Sequence, residues 1–161
     1  MKITFTLNNE LVTWTVPPYM TLLRALRQHG YMGTKFSDEF GIAGADTVLV
    51  DGRPVLAGMI LAHQVEGRSV ITIEGVGGFQ QRGWRGSEPL HPLQQAFIET
   101  GAIQCGYETP ALILCALALL DKNPNPTETE VREALAGVLS RDTGYVKPVQ
   151  AVLRAAAMLR G

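Results

Sequence analysis

The chain has 161 residues, is 46% hydrophobic and 18% charged, and carries a formal net charge of −1. That balance is ordinary for a globular protein and offers no basic face for nucleic acid. Two cysteines, Cys105 and Cys115, are too few for a disulfide framework, so free thiols and a cytoplasmic setting are expected.

The first stretch, MKITFTLNNE, alternates polar and apolar residues and reads as a strand, not a leader peptide. Lys2–Leu7 and Leu11–Val16 predict a hairpin around Asn8-Asn9. Thr21–His29 places Leu22, Leu23 and Leu26 on one face of a short helix. A loop without periodicity covers 33–44. Thr47–Val50 and Arg53–Leu56 form a second hairpin about Asp51-Gly52, Met59–His63 is a helical turn, and Ser69–Glu74 is the last strand. Glycines 75, 77, 78, 83 and 86 then break all regularity around Trp84, which reads as a docking residue. Everything afterwards is helical: Leu90–Thr100, Thr109–Leu120 with Pro110 in its first turn, Glu128–Leu139 behind the capping box Thr127-x-x-Glu130, and Val149–Leu159 opened by Pro148. Ala111–Leu120, the longest apolar run, is too short to span a bilayer, so no membrane partner is expected. The division expected is 1–76, a linker at 77–89, and 90–161.

Two helix ends in the second part face a common point. QCGYETPA brings Cys105 and Glu108 there, and GVLSRDTGY brings Ser140 and Asp142. A thiol, two carboxylates and a hydroxyl at helix ends are the strongest candidate site in the chain. Asp38, Glu39 and Asp46 are a second acidic group, which reads as a solvated loop before it reads as a Ca²⁺ or Mg²⁺ site. Cys115 reads as core. His29, His63 and His91 read as structural, and no nucleophile–histidine arrangement emerges, so no catalytic residue is assigned.

LHPLQQAFIETGAIQCGYETPA, NPNPTETEVREAL and TGY closely resemble the small iron–sulfur subunit of the xanthine oxidase family of molybdenum hydroxylases. GTKF at 33–36, the stretch from Gly44 to Leu56, and TIEG at 72–75 agree. The resemblance implies an α+β chain: an N-terminal, plant-ferredoxin-like β-grasp domain followed by a C-terminal four-helix bundle, each holding one [2Fe–2S] cluster. It implies a large molybdopterin-binding subunit as partner, and in some members a flavin-type medium subunit.

The cluster-ligand positions that the resemblance implies are Asp38, Ala43, Asp46 and Gly58, then Cys105, Glu108, Ser140 and Asp142. Of these only Cys105 is a cysteine. Clusters of this kind are held by thiolates, or by thiolates and imidazoles. The expectation is therefore that this chain binds no [2Fe–2S] cluster and no metal, and that Phe40 and Ile42 plug the vacated volume. The resemblance also turns Gln104, Cys105 and Asp142 toward the partner's molybdopterin, as contacts to that cofactor. The functional expectation is a cluster-less structural subunit serving non-redox chemistry in the large subunit, such as hydration, hydroxyl transfer or isomerisation. Its alternatives are an electron-transfer subunit with one atypical cluster, and a stand-alone adaptor.

Overall fold

A computed structural model describes residues 1–77 and 89–161. Among these residues it has an α+β architecture with a five-stranded sheet and five α-helices. The linker and Trp84 expectations fall on residues 78–88, outside those described.

Strands β1 (Lys2–Leu7) and β2 (Glu10–Thr15) pair antiparallel, with Phe5 opposite Val12. Asn8 and Asn9 both take positive φ, 50° and 68°, as the tightest hairpin turn demands. Strands β3 (Thr47–Val50) and β4 (Arg53–Leu56) repeat the device at Asp51 and Gly52. Strand β5 (Ser69–Ile71) joins the two hairpins, parallel to β1 and antiparallel to β3, giving the order β2-β1-β5-β3-β4. It is shorter than its sequence pattern. Asn8 takes the Thr72 N–H at 2.9 Å and donates to the Thr72 hydroxyl, and the chain turns into a 3-10 helix at Ile73–Gly75. The expected turn at 59–63 is a 3-10 helix at Ala62–Val65.

Helix α1 (Leu22–Gln28) starts on a Thr21 cap and buries Leu22, Leu23, Ala25 and Leu26 against Ile3, Phe5, Val48 and Val70. Strand β3 is buried on both faces. Val48 and Val50 face the α1 core, whereas Leu49, one residue between, enters the core of the helical half. The sheet therefore lies between α1 and the later helices.

Those helices are α2 (Pro92–Thr100), α3 (Thr109–Lys122), α4 (Glu128–Leu135) and α5 (Val146–Arg160). They share one core, with Leu93, Phe97, Leu112, Leu114, Leu135 and Val152 almost fully buried. The Thr127–Glu130 capping box forms as the sequence demands. Helix α4 ends at Leu135, four residues earlier than its pattern, and the chain beyond it passes close to Gly44. A Cβ on Gly44, itself at φ 72°, would lie 2.0 Å from the Gly137 carbonyl oxygen. Helix α5 begins at Val146, with Pro148 inside a first turn whose N–H groups need no intrahelical acceptor.

A seam joins the two halves. The Leu139 N–H donates to the Ala43 carbonyl at 2.9 Å, and the Tyr107 hydroxyl donates to the Phe36 carbonyl. Loops 36–44, 103–107 and 137–142 thereby share one end of the molecule.

Candidate functional site

The site is built where α3 begins and α4 has ended. Gly106, at φ 78°, turns the chain between Cys105 and Tyr107, and Pro110 sets the first turn of α3. Glu108 is carried to the start of α3 and is 5% exposed. It accepts the Ser140 hydroxyl at 2.8 Å on one oxygen and the Cys105 thiol at 3.2 Å on the other. Ser140 also meets the Thr143 hydroxyl at 2.7 Å, and its backbone N–H donates to the Tyr145 hydroxyl at 2.8 Å. Tyr145 holds a left-handed backbone, φ 65°, directly after Gly144 at φ 58°. That pair folds the 140–145 segment back onto α3. An open cleft of about 350 Å³ lined by Arg132, Leu135, Gly144 and Val149 shares Tyr145 with this network.

Cys105, Glu108 and Asp142 offer ligand atoms that all lie within 4.8 Å of one another. Among the described residues this is the one such group of acidic, thiol or imidazole side chains. Cys105 and Asp142 are exposed and Glu108 is buried beneath them. Hydrogen bonds to the Asp142 and Glu108 carboxylates push the Cys105 thiol above its ordinary range, although the Tyr107 N–H opposes this. Two acceptors favour a thiol that keeps its proton until a cation displaces it. Gln104 is exposed on the same turn.

The second acidic group is not brought together as ligands. Asp38 accepts the backbone N–H groups of Phe40, Ile42 and Ala43 at 2.9, 3.2 and 2.8 Å, which holds it below the usual carboxylate range. Glu39 is clamped by Arg24 at 2.6 and 2.8 Å and by the Thr21 hydroxyl at 2.9 Å. Asp46 is buried and accepts the Gly58 N–H at 2.6 Å; burial raises it. The plug expectation is corrected here: Phe40 is 81% and Ile42 68% exposed. Asp38 gathers the backbone amides of this loop, and both apolar side chains lie at the surface.

The other candidates are structural. Burial pushes Cys115 up to about 11. His29 stacks on Trp14 with ring centroids 3.9 Å apart, and His91 caps α2 through Nδ1. The Thr143 and Tyr145 contributions to the site escaped sequence reasoning. The TGY triplet was the available signal, but only the returned loop gives its hydroxyls a common partner.

Residues 72–153 match the [2Fe-2S] binding domain family. The nicotinate dehydrogenase small FeS subunit of Eubacterium barkeri is 43% identical over 150 residues, 91% of this chain and 89% of that one. This chain belongs to the small [2Fe–2S] subunits of xanthine-oxidase-type molybdenum hydroxylases. Quinoline 2-oxidoreductase from Pseudomonas putida 86 superposes at a TM-score of 0.89 with 37% identity, covering 99% of this chain and 96% of its counterpart. The aldehyde oxidoreductase of Desulfovibrio desulfuricans ATCC 27774 superposes at 0.91 with 39% identity, covering 99% of this chain but 17% of that one.

These findings overturn the expectation that no iron–sulfur cofactor belongs to this chain. The matched domain is a [2Fe–2S]-binding one, and the E. barkeri relative is an FeS subunit. They favour the electron-transfer alternative over the cluster-less reading. The donors gathered here are nevertheless one thiol and three oxygen-bearing side chains, which do not fit a four-thiolate centre. No helix among the described residues is long and apolar enough to cross a membrane.

Proposed function

We propose that this chain is the electron-transfer small subunit of a molybdenum hydroxylase complex, docked on a large molybdopterin-binding subunit in the cytoplasm. The match to the [2Fe-2S] binding domain family carries the reading, in a chain whose Cys105, Glu108 and Asp142 converge at an exposed end. In this reading 1–76 is the ferredoxin-like domain, and 90–161 is a four-helix bundle whose outer end bears the site. Cys105, with Glu108, Ser140 and Asp142 as oxygen donors, would hold one atypical iron–sulfur centre, which supplies one-electron chemistry when bound.

The residues' own part is to present and protect that donor set. Ser140, itself held by Thr143 and Tyr145, fixes Glu108. Gln104, Cys105 and Asp142 are exposed and turn toward the partner's molybdopterin, where the Asp142 carboxylate accepts hydrogen bonds from pterin N–H groups. Asp142→Ala then lowers pterin retention in the complex, and unchanged pterin content removes the contact.

Molybdenum, iron and acid-labile sulfide are measured per chain in the complex purified without air. The expected result is molybdenum together with about two irons per chain, lost in Cys105→Ser. Molybdenum with no iron refutes the electron-transfer role. A monomer that brings down no molybdenum protein refutes the subunit role and favours the adaptor.

A further inference from the structure

The two edges of the sheet are built differently. Strand β4 closes one side and is blocked. Val50 and Arg53 flank a two-residue turn, so Pro54, opposite Leu49, stands where a backbone N–H would point outward, and proline has none. Strand β2 closes the other side and carries no proline, lysine or arginine, the usual guards of an edge; Glu10 is its one charge. Among the described residues β2 pairs with β1 alone. The hydrogen bonds of β1 show which β2 groups face outward. Met1 and Val16 exchange both backbone bonds, so the bonded pairs along this ladder recur at Trp14, Val12 and Glu10. The residues between them, Leu11, Thr13 and Thr15, turn N–H and C=O away from β1. Their opposites agree: the Thr4 N–H goes to the Glu66 carboxylate and the Thr6 N–H to the Arg68 carbonyl, on the far side of β1. Leu11, Thr13 and Thr15 are all exposed.

We propose that the β2 edge is a self-association surface, on which a second copy of this chain docks antiparallel about Thr13 and continues the sheet. The spacing of the outward groups selects that occupant because it is self-complementary. A two-fold axis at Thr13 sets Thr13 against Thr13 and Leu11 against Thr15, so every outward residue of both copies enters a hydrogen-bonded pair. Moving the axis to Val12 sets Thr15 against Asn9 in the turn, and moving it to Trp14 sets Leu11 against Pro17; either loses a pair. The side chains agree with the same register. Val12 falls beside Trp14 of the second copy on the face that covers α1, a β-branched–aromatic pair. Leu11, 76% exposed in the single chain, gains Thr15 as a neighbour. Glu10 falls opposite Val16 and meets no like charge. The surface lies on β2 and uses none of the residues around Cys105, so it stands or falls independently of the subunit role argued above.

The test is sedimentation velocity on the full chain over a concentration series, for wild type, Thr13→Pro, Leu11→Lys and Ile98→Ser. Thr13→Pro deletes the N–H at the axis in both copies, and that N–H serves no bond to β1. Leu11→Lys sets a charge on the edge without touching the backbone. Ile98, 54% exposed on α2, is the control. Wild type and Ile98→Ser form a dimer, and each β2 variant weakens it by about tenfold or more, as the loss of two hydrogen bonds implies. Unchanged melting of Leu11→Lys shows that folding is not the cause. The register is read by oxidative cross-linking in a Cys105→Ala background. Thr13→Cys links two copies, because directly opposite bonded residues have Cα atoms about 5.5 Å apart, within disulfide reach. Thr15→Cys does not, because the two copies of residue 15 then lie about 13 Å apart along the strands. A wild-type chain that stays monomeric up to about 1 mM overturns the proposal. A dimer that both β2 variants leave intact overturns it as well, and so does a link through Thr15→Cys in place of Thr13→Cys.

Discussion

Ser140→Ala isolates the staple between the two site loops. The Ser140 hydroxyl donates to the buried Glu108 carboxylate at 2.8 Å; the Cys105 thiol, a weaker donor, does so at 3.2 Å. Removing it leaves one carboxylate oxygen, in a side chain 5% exposed, without its hydroxyl donor. The penalty for a buried acceptor stripped of its partner is about 1–3 kcal/mol. Taking about 2 kcal/mol and the roughly 2–4 °C per kcal/mol of a chain this size, the melting temperature falls by roughly 4–8 °C. Calorimetry on Ser140→Ala, Glu108→Ala and the double variant checks this. If the hydroxyl acts through Glu108, the serine change costs little once Glu108 is gone. A Ser140→Ala melt within about 1 °C of wild type would falsify the staple, because the predicted loss is several times larger.

Three further outcomes are expected. Phe97→Ala, at a fully buried position in the helical core, costs about 3–5 kcal/mol by urea unfolding; a loss under about 1 kcal/mol contradicts the packing described. Asp46 and Asp38 shift in opposite directions, so their pH signatures differ. Asp46 is raised in the folded chain: its contribution is full below the unfolded value, near 3.9, and is lost as pH rises through the folded value. Asp46→Asn, which keeps an acceptor for Gly58, therefore raises stability at pH 7, and the gain fades below about pH 4. Asp38 is lowered: its contribution is present above about 3.9 and lost as pH falls through its folded value, so Asp38→Asn flattens the acid limb of the stability curve. Melting scans across pH 2–7 separate the two, and identical profiles for both variants refute the assignment. In thiol titration of the native chain without bound metal, Cys105 reacts slowly at neutral pH and Cys115 only on unfolding. Rapid modification of two thiols per folded chain speaks against both burial and the carboxylate contacts.

Much of the fold was legible in local chemistry. Asn8-Asn9 and Asp51-Gly52 specify tight hairpins through positive φ, and Thr127–Glu130 specifies a helix start through its own orphan N–H groups. These need no distant partner, so the sequence by itself determines them. The QCGYETPA and SRDTGY segments likewise announced a shared site and named Cys105, Glu108, Ser140 and Asp142. What tertiary structure decided depends on residues far apart in the chain. Asn8 ends β5 early by taking Thr72, and the segment after α4 passes so close to Gly44 that a Cβ there would meet the Gly137 carbonyl. Phe40 and Ile42 have the composition of a core plug. In the fold they lie exposed on a loop whose amides gather on Asp38, an arrangement that composition cannot express. The donor set is similar in kind: residue types can be read in order, but only the returned loop at Gly144–Tyr145 brings Asp142 and Ser140 over Glu108. Local turns and caps are fixed by short-range sterics and hydrogen bonds, whereas burial and side-chain direction are fixed by what the rest of the chain places opposite.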